Sequence, residues 1–283
     1  MHKHLFPTEQ SLVTDAPSGP RPIVDISSEQ NPRYKVWRTL LDGRGIKKQQ
    51  EAIMSGPRII REILALFGQR ATGLILRHPD ELKILGEAPL PAPETGFTIF
   101  RVTPELFAPL DIYGIDAPLL LMAAPPLPIW DGSLGPGLTL FLPFQNPINL
   151  GTTIRSAAAL GVPVVLLKEA ASPYLPKSLR ASGPALFQTP LMQGPSLEEL
   201  SVRDKELPLY ALSPAGQNIF SFDFPECCGL VSGLEGPGLL GEWPPEQLLS
   251  IPMRAGVESL NAAMAVSMAL ACRLARPPRT GSP

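Results

Sequence analysis

The stretch Gly229-Leu230-Val231-Ser232-Gly233-Leu234-Glu235-Gly236-Pro237-Gly238 passes from an unbroken apolar run into a turn crowded with glycine around one carboxylate. An apolar run without polar alternation reads as a strand buried on both faces, the mark of a parallel sheet covered by helices. In such sheets ligands bind outside the carboxyl ends of the strands, where glycine lets a backbone come close. This turn carries neither G-x-G-x-x-G nor a P-loop lysine, and Glu235 would repel a phosphate, so it is not read as a phosphate cradle.

On either side the same pattern continues. Leu138–Leu142 reads as a buried strand and leads into Asn146-Pro147-Ile148-Asn149-Leu150-Gly151-Thr152-Thr153-Ile154-Arg155, with a helix over Leu150–Leu160. Asn149 stands at a natural N-cap position, Gly151 permits a close backbone approach, and Arg155 falls on the first turns of the helix. Val162–Leu167 and Leu207–Leu212 read as further strands. Downstream, Ile251-Pro252-Met253-Arg254-Ala255-Gly256-Val257-Glu258-Ser259-Leu260-Asn261 enters a long final helix, Ser259–Ala275, whose alanines allow tight packing. Read without further information, each of these three segments has an ordinary structural explanation: a capped helix, a strand turn, a helix start.

The first half alternates helical and strand-like pieces: helices at Tyr34–Leu41, Pro57–Phe67, Pro79–Leu85 and Pro104–Leu110, strands at Gly73–Leu76, Phe97–Val102 and Pro118–Ala123. The expected organisation is a loose tail over 1–30, a small α/β domain over 31–124, a Pro- and Gly-rich linker over 125–137, an α/β domain with a parallel sheet over 138–276, and a tail over 277–283. The 44% hydrophobic and 18% charged content suits a chain folded around cores. The apolar stretch Ala117–Trp130 is short and broken by prolines, and Met1–Gln10 lacks the apolar core of a secretory signal, so a cytoplasmic location without a membrane partner is expected. Cys227, Cys228 and Cys272 lack zinc-ligand spacing and are read as reduced thiols, with no metal expected. The net charge is −2, which speaks mildly against nucleic acid, yet basic residues are concentrated between Asn31 and Arg70: Arg33, Lys35, Arg38, Arg44, Lys47, Lys48, Arg58, Arg61 and Arg70 against three carboxylates. That segment reads either as a solvated helix face or as an RNA-binding surface.

Taken together and in this order, the three segments resemble the motifs of the SpoU/TrmH family of the SPOUT superfamily of RNA methyltransferases. The first motif, N-x-G-x-x-x-R-(S/T)-A, is matched by Asn149, Gly151, Arg155, Ser156 and Ala157; the second, G-x-E-G-x-G, by Gly233, Glu235, Gly236 and Gly238. The third, I-P-M followed by S-L-N, is matched by Ile251, Pro252, Met253, Ser259, Leu260 and Asn261, and Leu179–Ala185 is a further family-like stretch. The resemblance implies a C-terminal domain closed by a deep trefoil knot, S-adenosylmethionine as cofactor, and a homodimer joined through that domain. It also implies that residues 31–123 are a ribosomal-protein-like RNA-binding domain. Many relatives carry Asp before the proline of the first motif, where this chain has Asn146.

On this resemblance, Asn149, Arg155, Glu235, Ser259 and Asn261 are the catalytic candidates, Gly233, Ile251, Met253 and Leu260 line the cofactor pocket, and Arg33, Lys35, Arg38, Arg44, Lys47 and Lys48 hold RNA by its phosphates. The implied reaction is methylation of a ribose 2′-hydroxyl, with ribosomal RNA favoured over tRNA by the accessory domain. Arg155 would stabilise the developing alkoxide or orient a phosphate, since a guanidinium does not act as a base at neutral pH. The alternatives are a base-nitrogen methyltransferase of the same superfamily and a non-catalytic RNA-binding module.

Overall fold

The computed structural model describes residues 22–202 and 207–275. The first half of the described chain runs β1 (Ile23–Ile26), α1 (Pro32–Thr39), α2 (Gly43–Gln49), β2 (Glu51–Met54), α3 (Pro57–Phe67), β3 (Ala71–Leu76), β4 (Thr98–Val102), α4 (Pro104–Phe107) and β5 (Leu119–Ala123). These strands form a five-stranded mixed sheet in the order β1-β4-β3-β5-β2, with β5 antiparallel to both its neighbours. The second half runs β6 (Leu138–Leu142), α5 (Pro147–Ala159), β7 (Val164–Leu166), α6 (Pro176–Ser182), α7 (Ala185–Gln188), β8 (Leu191–Gln193) and α8 (Leu197–Val202). It continues with β9 (Leu209–Asn218), β10 (Cys228–Val231), β11 (Leu248–Ser250) and α9 (Ala262–Leu274).

The second sheet has the order β11-β9-β10-β6-β7-β8 and every recorded strand pair in it is parallel. Its central strands β6 and β10 are buried along their whole length, as their continuous apolar sequence demands. The chain steps outward from β6 to β7 and β8, then returns to lay β9, β10 and β11 on the other side. The reversal falls between β6 and β10, and a crevice at such a switch point is where α/β sheets bind ligands.

Several expectations are corrected. The stretch Ile23–Ile26, placed in a loose tail, is an edge strand paired in parallel with β4, so the expected tail is too long; its residues 1–21 lie outside the described chain, as does the whole C-terminal tail expected over 277–283. The expected linker 125–137 is not a free connection. Trp130 is buried against Phe141, with ring centroids 5.0 Å apart, and the backbones of Pro128, Trp130 and Gln193 hydrogen-bond one another. The helix expected over Pro79–Leu85 is present with those bounds and is of the 3-10 type, its turns closing on residues three apart. The final helix begins at Ala262, not Ser259, because Asn261 caps it by accepting a hydrogen bond from the Met264 N–H at 3.2 Å.

The two halves pack on each other through α3, α6 and α7 rather than hanging on a tether. Phe67 meets Phe187 with ring centroids 5.4 Å apart, Arg180 stacks 4.2 Å over the Tyr113 ring, and Arg70 lies 5.0 Å over Phe187. Of the cysteines, Cys228 is buried, and burial raises its thiol pKa above the usual range. Among the described residues no helix is long and apolar enough to cross a membrane, and no cluster of three or more His, Cys, Asp or Glu is arranged to hold a metal.

Candidate active site

Pro147 opens α5, and its fixed backbone makes the preceding residue the cap. The cap is therefore Asn146, whose Oδ1 accepts from the Ile148 and Asn149 N–H groups at 2.8 and 3.3 Å, and not Asn149 as the sequence suggested. This leaves the Asn149 side chain, one turn into the helix, free to turn toward the end of β10. There the Gly233–Gly238 turn closes on itself, with Leu234 and Gly238 exchanging backbone hydrogen bonds of 2.7 and 3.1 Å. A Cβ at Gly233 would stand 2.7 Å from the Gly238 carbonyl carbon, which is why the first residue of the turn is glycine.

Glu235 joins this turn to α5. Its Oε2 accepts from the Asn146 N–H at 3.0 Å, and its Oε1 accepts a short hydrogen bond from the Asn149 amide. Asn149 Oδ1 in turn accepts from Asn261 Nδ2 at 3.2 Å. A carboxylate can only accept, so Glu235 fixes the orientation of the Asn149 amide, and Asn149 fixes that of Asn261. One chain of hydrogen bonds thus links the β10 turn, the first turn of α5 and the N-cap of α9. A second link lies deeper, where the Ser267 hydroxyl meets that of Ser156 at 3.0 Å. Gly151 lets α6 close on the far side of α5, since a Cβ there would stand 2.4 Å from the Ser178 carbonyl oxygen.

These elements enclose a cleft of about 730 Å³ at the switch point, within the usual range for small-molecule sites. Asn149, Gly233, Glu235, Ile251, Met253, Ser259, Leu260 and Asn261 all line it, so eight of the nine catalytic and cofactor candidates meet in one place. Arg155 does not. It is exposed on α5, six residues beyond Asn149 and about 9 Å along the helix axis, and its side chain makes no ion pair or hydrogen bond among the described residues. Glu258 also lines the cleft and was not singled out from the sequence, where it reads as one charge in a loop. The lining thus holds two carboxylates, Glu235 and Glu258, and no Lys, Arg or His.

The basic candidates divide. Arg33 is engaged by the buried Glu51 at 2.7 Å and is not free, whereas Lys35, Arg38, Arg44, Lys47 and Lys48 are exposed on α1 and α2 without ion pairs among the described residues.

Residues 139–271 match the model of the SpoU rRNA Methylase family. An uncharacterised tRNA/rRNA methyltransferase of Synechocystis sp. is 30% identical over 88% of this chain and 92% of its own length. The chain belongs to the SpoU rRNA methylase family. It is 42% identical over 249 residues to the ribosomal RNA small subunit methyltransferase G 2 of Syntrophobacter fumaroxidans, but spans only 48% of that longer relative. A 23S rRNA (uridine(2479)-2′-O)-methyltransferase of Streptomyces viridochromogenes is 29% identical over 86% of the chain and 89% of its own length. Among solved structures, the SpoU methyltransferase AviRb from Streptomyces viridochromogenes in complex with AdoMet superposes with a TM-score of 0.67 at 25% identity, over 87% of this chain and 98% of that one.

Proposed function

We propose that this chain is an S-adenosylmethionine-dependent RNA methyltransferase that methylates a ribose 2′-hydroxyl, with ribosomal RNA as substrate in preference to tRNA and with the cytoplasm as its place of work. The observation that carries the reading is the hydrogen-bonded chain Glu235–Asn149–Asn261, which unites three segments up to 112 residues apart around one cleft. The residues fit the cofactor. Its sulfonium and ammonium groups are cationic, and the cleft offers Glu235 and Glu258 with no competing cation. When bound, the cofactor supplies a methyl group on a good leaving sulfur. Gly233, Ile251, Met253 and Leu260 hold it, and Ser259, Asn261 and Asn149 orient the ribose beside it.

Arg155 stabilises the alkoxide that develops on the ribose, or orients the neighbouring phosphate, as a fixed positive charge does best in a site sheltered from water. Its position outside the cleft of its own chain supports a homodimer in which Arg155 serves the partner's cleft. The surface around it supports the same reading: Met264 and Met268 on α9 and Ile148 on α5 are exposed apolar side chains, with Met264 at 56% exposure. A continuous apolar face on paired helices is what a two-fold interface buries. We read the C-terminal domain as a trefoil knot on the strength of the three family motifs, with Gly216 allowing β9 and β11 to close on each other where their register shifts: a Cβ there would stand 2.4 Å from the Leu249 nitrogen. We assign the sheet of the first half to a ribosomal-protein-like RNA-binding domain, with Lys35, Arg38, Arg44, Lys47 and Lys48 as its phosphate contacts.

The test is transfer of a tritiated methyl group from labelled cofactor to ribosomal RNA stripped of methylation. Incorporation by the native protein, absent from the Asn261→Ala variant, is the expected result; no incorporation into any ribosomal RNA would remove the proposal.

A further inference from the structure

A second cavity, of about 510 Å³, lies between the two halves of the chain. One wall is α2, with Ile46 and Lys47; another is the connection between the sheets, with Pro125, Pro126 and Ile129; the floor is the end of β7 and the loop after it, with Tyr174, and Gln193 at the end of β8. Its lining is the electrostatic opposite of the catalytic cleft: one lysine and no carboxylate. Next in sequence to its lining residues, Arg44 and Lys48 on α2, and Lys177 shortly after Tyr174, are exposed cations without ion pairs among the described residues. Of the lining residues, Tyr174 and Gln193 carry polar groups without a hydrogen-bond partner among the described residues: the Tyr174 hydroxyl, which feels the charge of Arg70, and the Gln193 side-chain carbonyl, whose Nε2 is fixed by the Leu166 carbonyl at 3.0 Å. At the rim the Ile129 side chain is 76% exposed.

We infer that this cavity is a nucleotide-binding groove that takes an unpaired nucleotide of the substrate RNA close to the one being methylated. The inference rests on the methyltransferase reading above and adds where the strand lies. Apolar walls of proline and isoleucine suit the faces of a base. The tyrosine hydroxyl and glutamine carbonyl offer a donor and an acceptor to its edge, and Lys47 and its neighbours suit the phosphates. The position also fits. All strands of the second sheet point the same way, and β10 and β7 are separated only by β6. The turns that follow them therefore leave one edge of the sheet about 10 Å apart, two strand spacings. A single strand that reaches the catalytic cleft at β10 passes the groove at β7.

Ile129 gives a test that leaves the catalytic residues and the core untouched. Binding of a short single-stranded oligouridylate is measured for the native protein, Ile129→Glu and Ile129→Lys, alongside calorimetric titration with S-adenosylmethionine and sedimentation of each variant. The expected result is a weakening of roughly two- to five-fold for the glutamate variant, the scale of one surface charge contact, with no weakening for the lysine variant and unchanged cofactor binding. An oligouridylate carrying 4-thiouridine should cross-link to Pro125–Ile129 or Ala170–Tyr174. Equal affinity in all three proteins, or cross-links confined to the catalytic cleft, would overturn the inference. So would dissociation of a dimer by Ile129→Glu, which would make a second copy of the chain the occupant. Failure of the native protein to bind S-adenosylmethionine would instead strike the methyltransferase reading, since that titration does not involve the groove.

Discussion

Two asparagines three residues apart show what a single residue's context changes. Asn146 and Asn149 are equally good caps by type, and the motif drew attention to Asn149. The deciding signal was Pro147, which belongs at the first helical position and hands the cap to Asn146. Asn149 is thereby released for Glu235 and Asn261, contacts between residues far apart in sequence that no local pattern encodes. Where relatives carry Asp, Asn146 caps the helix without placing another negative charge beside Glu235, whose Oε2 already accepts from the Asn146 backbone. Glu258 was invisible for a related reason: only the fold turns that loop residue into cleft wall. Replacing Glu258 with Gln should weaken S-adenosylmethionine by up to about five-fold while leaving the demethylated product, which has lost the sulfonium charge, nearly unaffected. Calorimetry with both ligands reads the difference, and equal weakening of both would deny Glu258 an electrostatic part. Arg155→Ala should lower turnover by about 10²- to 10³-fold and leave cofactor affinity nearly unchanged. A matching loss of cofactor affinity would put Arg155 in the wrong role.

At the scale of elements, the strongly apolar pieces were legible and the weakly patterned ones were not. Leu138–Leu142 and Pro57–Phe67 fall where the sequence put them, because a buried strand and a strongly one-sided helix carry their own pattern. The strand expected over Leu207–Leu212 runs from Leu209 to Asn218, although Ser213-Pro214-Ala215-Gly216 has the composition of a turn. Its partner β11 pairs with Ala211 and then with Gln217 and Asn218, so the turn-like residues form the irregularity at which the register shifts and the strand resumes beyond them. The short pieces β2, β8 and α6–α8 lack the length for periodicity to show. The Gly233–Gly238 turn was legible as chemistry and explained as geometry only by its closure. Gly233→Ala should therefore open the turn and abolish most cofactor binding while the thermal midpoint moves little, which differential scanning calorimetry and titration together would check. On α2, replacing Lys47 and Lys48 with Ala should weaken RNA binding and lower its salt dependence by about one unit per lost phosphate contact, with turnover at saturating RNA preserved. An unchanged salt slope would remove these lysines from the RNA path.

The whole molecule is two sheets held together through the helices between them, with the motif-lined cleft in the second half and most of the exposed basic candidates on α1 and α2 of the first. The sequence could suggest two domains from composition, but not that aromatic and guanidinium contacts would clamp them, since Phe67, Tyr113, Arg180 and Phe187 show no pattern along the chain. Nor could it say which face stays apolar and exposed. The helix expected to bury an interface leaves Met264 and Met268, rather than its alanines, as the exposed apolar side chains that such an interface would cover. Met268→Glu should convert a dimer into a monomer in sedimentation equilibrium and lose turnover with it, since each Arg155 would then have no partner cleft. A monomeric native protein with full activity would refute the shared site. The reaction itself is tested most directly by incubating the protein with unmethylated ribosomal RNA and S-adenosylmethionine carrying a trideuterated methyl group. The RNA is then digested to nucleosides, which are fragmented in the mass spectrometer at the glycosidic bond. The label is predicted on the ribose fragment of one nucleoside and absent from every base fragment; label on a base, or none in RNA despite bound cofactor, would contradict the account.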